Sequence, residues 1–419
     1  MSGTRYAPGM ALDVNPVLIP QLARTTPSRI LFVVMDGLGG CLQPGVPTAL
    51  ERAKHPHLDA LATEGALGRY VPIAPGITPG SGPGHFSIFG YDPVALEVGR
   101  GVLETLGLGI DVAPGDVTAR ANFATAGPDG RLTDRRAGRI ATEEATPLAR
   151  ALNAAVPQIE DVRIEIHPGL QHRFALVLRG PGLVDAVSDT DPQAEGVAPL
   201  APNAVTPAAA KTARVTAAFL AKAYAFLRGQ AKANTVLLRG FSGRPAMPTL
   251  RERARLTPLA IAAYPAYLGV ARLLGMDVAP GVSPKSTVAD EVTALERAWA
   301  GPHDFFFLHV KGTDSAGEDG DEDRKARVIE EFDRELPRIR ALKPDVILVT
   351  GDHSTPGPMK AHSFHAVPFV LHGPWVEPDE ARTFDERACA GGRFGGWFPA
   401  LSLFPMGMAC AGKLAKYGA

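Results

Sequence analysis

The sequence predicts an α/β fold with a mostly parallel sheet, and two observations support this prediction. Short apolar runs recur along the chain, and most are continuous rather than alternating, which is typical of strands covered by helices on both faces. Helical patterns separate these runs, and strands that alternate with helices indicate an α/β sheet protein. The predicted strands are Ile30–Met35, Phe174–Leu178, Thr235–Leu238, Asp304–Val310, Val346–Thr350 and Val367–Leu371.

Four segments between these strands carry helical patterns. They are Thr48–Glu64, Ala208–Leu227, Thr287–Trp299 and Asp323–Leu342. Pro56 must kink or interrupt the first of them, since proline lacks the amide hydrogen that an inner helical turn needs. Thr287 and Asp290 have the spacing of a capping box, with Asp in place of the usual Glu, and so predict the start of the third helix.

Composition excludes several classes of protein. The 419 residues include 43 Lys and Arg and 44 Asp and Glu, so the formal net charge is −1. This balance argues against a protein that coats nucleic acid or an anionic membrane. Three scattered cysteines are too few for a disulfide framework or a cysteine zinc site. The segment Met1–Gly9 lacks the apolar centre of a secretory signal, and no apolar run is long enough to span a bilayer. We therefore expect a reduced, cytoplasmic protein.

The middle of the chain differs from both ends. From Asp111 to Met247 charged residues are denser and the alternation of strands and helices is less regular. The residues that carry chemistry lie on both sides of this stretch. We therefore predict a discontinuous core of residues 1–111 and 247–419, with a smaller domain of residues 112–246 inserted into it.

Three predicted strands end in polar clusters. Asp36 follows the first, Asp314 and Glu318 follow Asp304–Val310, and Asp352 and His353 follow Val346–Thr350. In open α/β sheets ligands bind beyond the carboxyl ends of the strands, so we expect these side chains to meet at one edge of the sheet.

Clustered carboxylates repel one another and need a counter-charge, which a divalent metal ion supplies. Six of the eleven histidines are concentrated in the same region: His303, His309, His353, His362, His365 and His372. Mixed carboxylate and imidazole ligands suit Mn²⁺, Zn²⁺ or similar ions, so the joint pattern predicts a metal site. We interpret His303, His309 and His372 as structural. The acidic run Glu318–Asp323 lacks the spacing of an EF-hand calcium loop.

A second feature is a glycine-rich segment around Ser81. We predict that Ser81 caps a short apolar helix, where the positive field of the helix start favours phosphate. The glycines resemble those of a serine-esterase nucleophile elbow, but no apolar strand leads into the segment. A plain glycine and proline loop with a capping serine is the alternative interpretation.

A third feature is basic. Arg135, Arg136 and Arg139 lie within five residues of one another, and the same region also contains Arg120, Arg173, Arg179 and Arg239. Arginine binds carboxylate and phosphate in a bidentate manner. The two interpretations are a solvated surface and a site for a small dianionic substrate.

These motifs together resemble the archaeal-type cofactor-independent phosphoglycerate mutases, members of the alkaline phosphatase superfamily. The resemblance covers residues 29 to 400. Its motifs are Asp36–Gly39, Pro72–Ser81, Phe89–Pro93, Gly99–Gly101, Gly109–Asp111, Asn122–Thr125, Asp134–Arg139, Leu178–Gly182, Ser188–Pro192, Gly269–Asp277, His309–Asp314, Gly351–Pro356 and His362–Ser363. It implies an alkaline-phosphatase-like core, with a mostly parallel sheet and helices on both faces, and an inserted smaller α/β domain.

The resemblance also implies a two-metal site. Ser81 would accept the phosphoryl group, and the first metal would be bound by Asp36, Ser81, Asp352 and His353. The second would be bound by Asp314, Glu318 and His362. Many relatives carry histidine where this chain has Glu318, and His365 is a candidate to compensate. The harder ligand set favours Mn²⁺, with Mg²⁺, Co²⁺ and Zn²⁺ as alternatives.

The implied activity interconverts 3-phosphoglycerate and 2-phosphoglycerate, a step of glycolysis and gluconeogenesis, without a bisphosphoglycerate primer. The residues expected to bind substrate are His85, Arg135, Arg136, Arg139, Arg239 and Lys311. Lys311 and Asp134 are candidates for proton transfer. Two alternatives remain: a metal-dependent phosphomonoesterase or another phosphosugar mutase, and a catalytically silent member that binds metal.

Overall fold

The structure, a computed structural model, describes residues 15–418. Met1–Gly9, on which the expectation about a secretory signal depends, lies outside the described residues. The described chain divides into two compact units: residues 15–97, 247–264 and 274–418, and residues 98–246 with 265–273. Residues 98–111 and 265–273, which the sequence analysis assigned to the core, therefore pack in the second unit. Their helices, Arg100–Gly107 and Pro265–Leu273, contact each other extensively.

The strands in chain order are β1 (Ile30–Met35), β2 (Ala66–Val71), β3 (Val117–Ala126), β4 (Leu132–Asp134), β5 (Gln158–Ile159), β6 (Val162–Pro168), β7 (Arg173–Arg179), β8 (Thr235–Ser242), β9 (Pro258–Ile261), β10 (Asp277–Val278), β11 (Phe305–Val310), β12 (Val346–Thr350), β13 (Val367–His372) and β14 (Phe398–Pro399).

The α-helices are α1 (Asn15–Leu22), α2 (Ala49–Arg52), α3 (Pro56–Glu64), α4 (Ser81–Ile88), α5 (Pro93–Leu96), α6 (Arg100–Gly107), α7 (Thr142–Ala155), α8 (Ala210–Leu227), α9 (Leu250–Ala254), α10 (Pro265–Leu273), α11 (Val288–Trp299), α12 (Gly312–Asp319), α13 (Glu322–Ala341), α14 (Glu386–Gly391) and α15 (Leu403–Cys410). Short 3₁₀ turns occur at Ala137–Arg139, Pro207–Ala209 and Ala400–Ser402. Between residues 15 and 418 no helix is long and apolar enough to cross a membrane.

The first unit contains an eight-stranded sheet in the order β10-β9-β11-β1-β12-β13-β2-β14. The five strands from β10 to β12 are mutually parallel, and β13 runs antiparallel to both of its neighbours. Every residue of β1, β11 and β12 is buried, because helices cover both faces. Leu31 and Val33 belong to a core with α3, α11 and α13 on one face. Phe32 lies on the other face, where its ring is stacked with that of Phe89 and tilted against that of Phe305. The predicted α/β class is confirmed.

The second unit contains a six-stranded antiparallel sheet in the order β4-β3-β7-β6-β5, with β8 also paired to β3. β7 and β8 contain the predicted strands Phe174–Leu178 and Thr235–Leu238, so these two continuous apolar runs belong to an antiparallel sheet. These runs are continuous rather than alternating because this sheet, like the first, is covered on both faces. Helices α7 and α8 pack on one face, and Gly101 of α6 approaches Thr118 closely on the other.

Two local predictions about helices are also confirmed. Pro56 interrupts the segment Thr48–Glu64, because α2 ends before it and α3 begins with it. Thr287 caps α11: its hydroxyl accepts from the Asp290 amide at 3.2 Å, and the Asp290 carboxylate accepts from the Thr287 amide at 2.8 Å.

Glu291 on α11 predicts a pH-dependent stability. Its side chain is buried and lines a cavity of about 240 Å³. Burial, with repulsion from Asp290, raises the pKa of Glu291 to about 8. A pKa above the unfolded value of about 4.3 means that stability falls as the pH rises between these two values. We expect Glu291→Gln to raise the Tm by several degrees at pH 8 and to change it little at pH 5. Melting curves from pH 5 to 9 check this, and equal Tm differences at all pH values would contradict it.

Candidate active site

The carboxyl ends of three neighbouring parallel strands bring together the acids and histidines that the sequence analysis singled out. Asp36 directly follows β1, Asp352 and His353 lie just beyond β12, and Asp314 lies in the first turn of α12 after β11. All four side chains are buried. Ser81 reaches the same place from the start of α4, and His362 from the loop before β13.

A first group consists of Asp36, Asp352 and His353, whose ligand atoms lie within 4.8 Å of one another. The Nε2 atom of His353 is 3.3 Å from both Asp36 Oδ1 and Asp352 Oδ2. The hydroxyl oxygen of Ser81 lies 3.2 Å from the same Nε2 atom. A Cβ atom at Gly84 would lie only 2.3 Å from the Asp352 carbonyl oxygen, so α4 can approach this loop only with glycine there.

The expected N-cap at Ser81 is wrong. Gly80 is the N-cap, and Ser81 is the first residue of α4. Its hydroxyl is therefore directed to His353 rather than to the amides of its own helix. His85, one turn later, directs Nδ1 to the Ser81 carbonyl oxygen at 2.7 Å and to Asp352 Oδ2 at 3.2 Å.

A second group consists of Asp314, His353 and His362, so His353 is shared by both groups. The Nε2 atom of His362 lies 3.5 Å from Asp314 Oδ1, and the rings of His353 and His362 stack with centroids 3.6 Å apart. Glu318 is one turn after Asp314 on α12, and its Oε1 atom is 3.9 Å from His362 Nε2. The Glu318 side chain is 56% exposed and lies at the rim of this group.

Lys311 and His353 balance the buried negative charge. Lys311 Nζ donates to Asp36 Oδ2 at 2.8 Å and also to Asp314. Burial alone raises the pKa of Asp36, but Lys311 and His353 outweigh burial and hold that pKa well below its usual value. Burial lowers the pKa of His353, yet the carboxylates of Asp352 and Asp36 outweigh it and raise that pKa above the usual value.

The donor set fits divalent metal ions. Asp352 Oδ2 belongs to a fully buried side chain and lies 3.2 Å from His85 Nδ1 and 3.3 Å from His353 Nε2. Two carboxylates and an imidazole within 4.8 Å are a typical ligand set for Mn²⁺, Zn²⁺ and similar ions. The two groups are therefore candidate metal-binding sites.

Sequence reasoning missed two residues of the site. His309, interpreted as structural, is buried with Nε2 3.7 Å from Asp36 Oδ2, and burial lowers its pKa to about 3. Thr355 donates a hydrogen bond to Asp314 Oδ1 at 3.0 Å, and its hydroxyl is 2.9 Å from His353 Nδ1. His309 opens the motif His309–Asp314 and Thr355 lies within the motif Gly351–Pro356, so each motif was an available signal.

His365 lies outside both groups. Its Nε2 atom is 3.2 Å from Cys41 Sγ, and its Nδ1 atom is 3.0 Å from Ser363 Oγ. It is absent from the ligand atoms that gather around His362. The expectation that His365 compensates for Glu318 is therefore not supported by this geometry.

The arginines predicted to bind substrate lie in the second unit and differ from one another. Arg135 is held by a bidentate pair with Asp191, at 2.8 and 2.7 Å. Arg136 and Arg139 are exposed. Arg239 is half-buried, and its guanidinium lies 3.7 Å from both Asp189 and Asp191.

Arg239 belongs to a larger cluster with Arg100, Arg120 and Arg173. Burial and repulsion from Arg173, Arg100 and Arg239 lower the pKa of Arg120 to about 10. The Nε atoms of Arg173 and Arg239 are buried and donate no hydrogen bond within residues 15–418. Glu104 offsets only part of this effect on Arg120. Guanidiniums that repel one another and retain unused donors are suited to an anion.

Comparison with known proteins identifies the family. The sequence profile of the 2,3-bisphosphoglycerate-independent phosphoglycerate mutases matches residues 62–232. A relative from Thermus thermophilus, named a probable 2,3-bisphosphoglycerate-independent phosphoglycerate mutase, is 49% identical over 97% of this chain and 100% of its own length. The chain belongs to this family of mutases. A second mutase relative so named, from Aquifex aeolicus, is 46% identical over 96% of the chain and all of its own length.

Two solved structures share this fold, and one of them is named a cofactor-independent phosphoglycerate mutase. The cofactor-independent phosphoglycerate mutase from Thermoplasma acidophilum is 32% identical, with a TM-score of 0.67 over 92% of this chain and 100% of that one. A Pyrococcus horikoshii protein is 28% identical, with a TM-score of 0.76 over 94% of this chain and 99% of that one. Phosphoglycerate mutases are isomerases, so the chain belongs to a family of enzymes.

Proposed function

We propose that this chain interconverts 3-phosphoglycerate and 2-phosphoglycerate through a phosphoserine at Ser81, without a bisphosphoglycerate primer. One observation carries the proposal: the Ser81 hydroxyl lies 3.2 Å from His353 Nε2, and His353 is the residue that both candidate metal groups share. The names of the relatives and the family support the choice of substrate. We further propose that the enzyme acts in the cytoplasm.

The site residues provide proposed ligands for two metal ions. The proposed ligands of the first ion are Asp36, Ser81, Asp352 and His353, and those of the second are Asp314, Glu318 and His362. Two ions bound there would stabilise the attacking and leaving oxygens of an in-line displacement. Mn²⁺ is the ion we propose.

Each transfer exchanges one P–O bond for another. Ser81 Oγ loses its proton and forms a bond to phosphorus as the bond from phosphorus to the glycerate oxygen breaks, and that oxygen takes up a proton. The glycerate then accepts the phosphoryl group on its other hydroxyl, which loses a proton, while the bond from phosphorus to Ser81 Oγ breaks and Ser81 Oγ takes up a proton. Ser81 lies in the first turn of α4, whose partial positive charge favours the phosphoserine.

Lys311 is the better candidate for proton transfer. Its ammonium lies within the acid cluster, 2.8 Å from Asp36 Oδ2. Both carboxylate oxygens of Asp134 instead accept backbone hydrogen bonds, from the amides of Arg136 and Gly138. Asp134 therefore stabilises its own turn, and we assign proton transfer to Lys311.

We propose that the arginine cluster of the second unit binds the anionic groups of the substrate. Replacing Arg239 with methionine should raise the KM by roughly 10- to 100-fold, because a hydrogen bond to a charged group contributes about 1.5–3 kcal/mol. The kcat should fall less, since these contacts also exist in the ground state. Steady-state kinetics provide the measurement. Arg136 and Arg139 remain predicted substrate ligands.

The matched control is Arg214→Met. Arg214 lies in the same unit, is exposed, and pairs with Glu160 at 2.9 Å. We expect its KM to stay within about twofold of wild type, since exposed pairs contribute little. Equal KM values for the two variants would show that the cluster does not bind substrate.

Glu318 should decide which metal the second group prefers. A carboxylate there makes the ligand set harder than a histidine would, so Mn²⁺ should support activity better than Zn²⁺. We expect Glu318→His to shift the preference towards Zn²⁺ and Glu318→Ala to weaken Mn²⁺ binding about tenfold, as activity and calorimetric titrations would measure. An Ala variant with unchanged affinity, preference and rate would show that this half-exposed side chain only faces solvent.

The central test of the proposal is phosphorus NMR. Purified protein, 3-phosphoglycerate and Mn²⁺, with no bisphosphoglycerate added, should yield 2-phosphoglycerate as the main product. Release of inorganic phosphate instead would favour the phosphomonoesterase. Activity that survives rigorous chelation, or that requires added 2,3-bisphosphoglycerate, would contradict the mechanism.

A further inference from the structure

A buried lysine connects the two loops that carry the candidate metal ligands. Lys325, on α13, is fully buried, and its Nζ atom donates to the Gly39 carbonyl oxygen at 3.0 Å and to the Thr355 carbonyl oxygen at 2.9 Å. Gly39 lies three residues after Asp36, and Thr355 lies two residues after His353. One ammonium group therefore joins the loop after β1 to the loop after β12.

Thr355, one of the two residues that Lys325 contacts, is also hydrogen-bonded to residues of the candidate active site. The Thr355 amide donates to the Gly39 carbonyl oxygen at 3.0 Å. The Thr355 hydroxyl donates to Asp314 Oδ1 at 3.0 Å and lies 2.9 Å from His353 Nδ1. A shift of Thr355 would therefore disturb its contacts with Asp314 and His353, and these two residues belong to the candidate metal groups.

The two loops approach closely where Lys325 holds them. A Cβ atom on Gly39 would lie 2.0 Å from Ser354 Oγ, so a larger residue would not fit. Glu386, also buried, holds the other side of the first loop by accepting from the Gly40 amide at 2.8 Å and from the Thr48 hydroxyl at 2.7 Å. A buried charge is expensive unless it is compensated, so an apolar residue would fill the core at lower cost. The two carbonyl groups that Lys325 binds explain why this buried position holds a lysine rather than an apolar residue.

We propose that Lys325 is a positioning residue, which fixes residues 36–40 against residues 351–356 and thereby sets the spacing of Asp36, His353 and Asp314. This inference rests on the proposed metal-dependent function. Lys325 contacts none of the proposed ligands directly, so it acts through Gly39 and Thr355.

Lys325→Met removes the ammonium group and both of its hydrogen bonds while keeping a side chain of similar length. We expect the Kd for Mn²⁺, measured by calorimetric titration without substrate, to rise by roughly 10- to 100-fold, which is the range observed when residues that orient metal ligands are replaced. In the assay, kcat at a fixed Mn²⁺ concentration should fall. The KM for 3-phosphoglycerate should change little, because the arginine cluster is untouched.

Lys413→Met is the matched control. Lys413 is equally buried, and its Nζ atom donates to the Thr26 carbonyl oxygen at 3.0 Å and to Asp304 Oδ2 at 2.8 Å. Asp304 precedes β11 and Lys311 follows it, so roughly 20 Å of strand separates this pair from the site. We expect Lys413→Met to lower the Tm and leave the Kd for Mn²⁺ unchanged.

The outcomes separate the inference from the function. A weaker Mn²⁺ affinity in Lys325→Met alone supports the positioning role, whereas wild-type affinity in a folded Lys325→Met overturns it. Should Lys325→Met fail to fold, Lys325→Gln is the second test. We expect the shorter glutamine side chain to reach only one of the two carbonyl groups. A Kd at least threefold above wild type in that variant supports the proposal, and a Kd below that limit overturns it. Wild-type protein that binds no Mn²⁺ would instead overturn the proposed function.

Discussion

We expect the Ser81→Ala protein to lose mutase activity by roughly 10³-fold or more while its Tm stays within about 2 °C of wild type. Removing a covalent nucleophile leaves no oxygen to accept the phosphoryl group. The stability should change little, because the hydroxyl makes no helix-capping bond and alanine is favourable in a helical turn. Phosphorus NMR and thermal melting provide the two measurements.

Ser87→Ala is the matched control on the same helix. The Ser87 hydroxyl is buried and donates to the Gly84 carbonyl oxygen at 2.7 Å. We expect this variant to lose about 1 kcal/mol of stability and to keep its activity. Phosphate trapped on a peptide that lacks Ser81, or a Ser81→Ala protein with a tenth of the wild-type rate, would contradict the assignment.

The second large effect is expected for His353→Ala. His353 is shared by both candidate metal groups, so its loss should weaken both at once. We expect activity to fall by at least roughly 10³-fold, since metal-assisted charge stabilisation is the main source of catalysis in the proposed reaction. Calorimetric titration should show fewer than two Mn²⁺ ions bound at concentrations that saturate the wild type.

The matched control for His353→Ala is His365→Ala, which removes an imidazole that is not a proposed metal ligand. His365 lies twelve residues further along the chain but contacts Cys41 and Ser363. This variant should bind Mn²⁺ like the wild type. A His353→Ala protein that binds two ions with unchanged affinity would show that the shared histidine is not a ligand.

The elements of the first unit were predictable because their signals are local. Continuous apolar runs placed β1, β11 and β12 to within one residue, and the capping spacing of Thr287 and Asp290 placed the start of α11. The meeting of Asp36, Asp314, Asp352 and His353 also followed, because the carboxyl ends of parallel strands share one edge.

The errors arose where the signal was not local. The runs at β7 and β8 look like parallel strands, yet they pair antiparallel with β3, because burial on both faces removes the alternation that identifies an antiparallel strand. Ser81 was expected to be an N-cap, but a shift of one position along the helix redirects its hydroxyl from the helix amides to His353.

The sequence by itself determined the α/β class, the ends of the central strands and the residue types of the candidate metal site, since these depend on local pattern and chain order. Only the tertiary structure decided that Arg135 is committed to Asp191, that Arg239 joins Arg100, Arg120 and Arg173, and that Lys325 spans two loops. These contacts join residues from 30 to 286 positions apart. No sequence periodicity specifies such pairs, because they form only when the packing of whole elements brings distant side chains within a few ångströms.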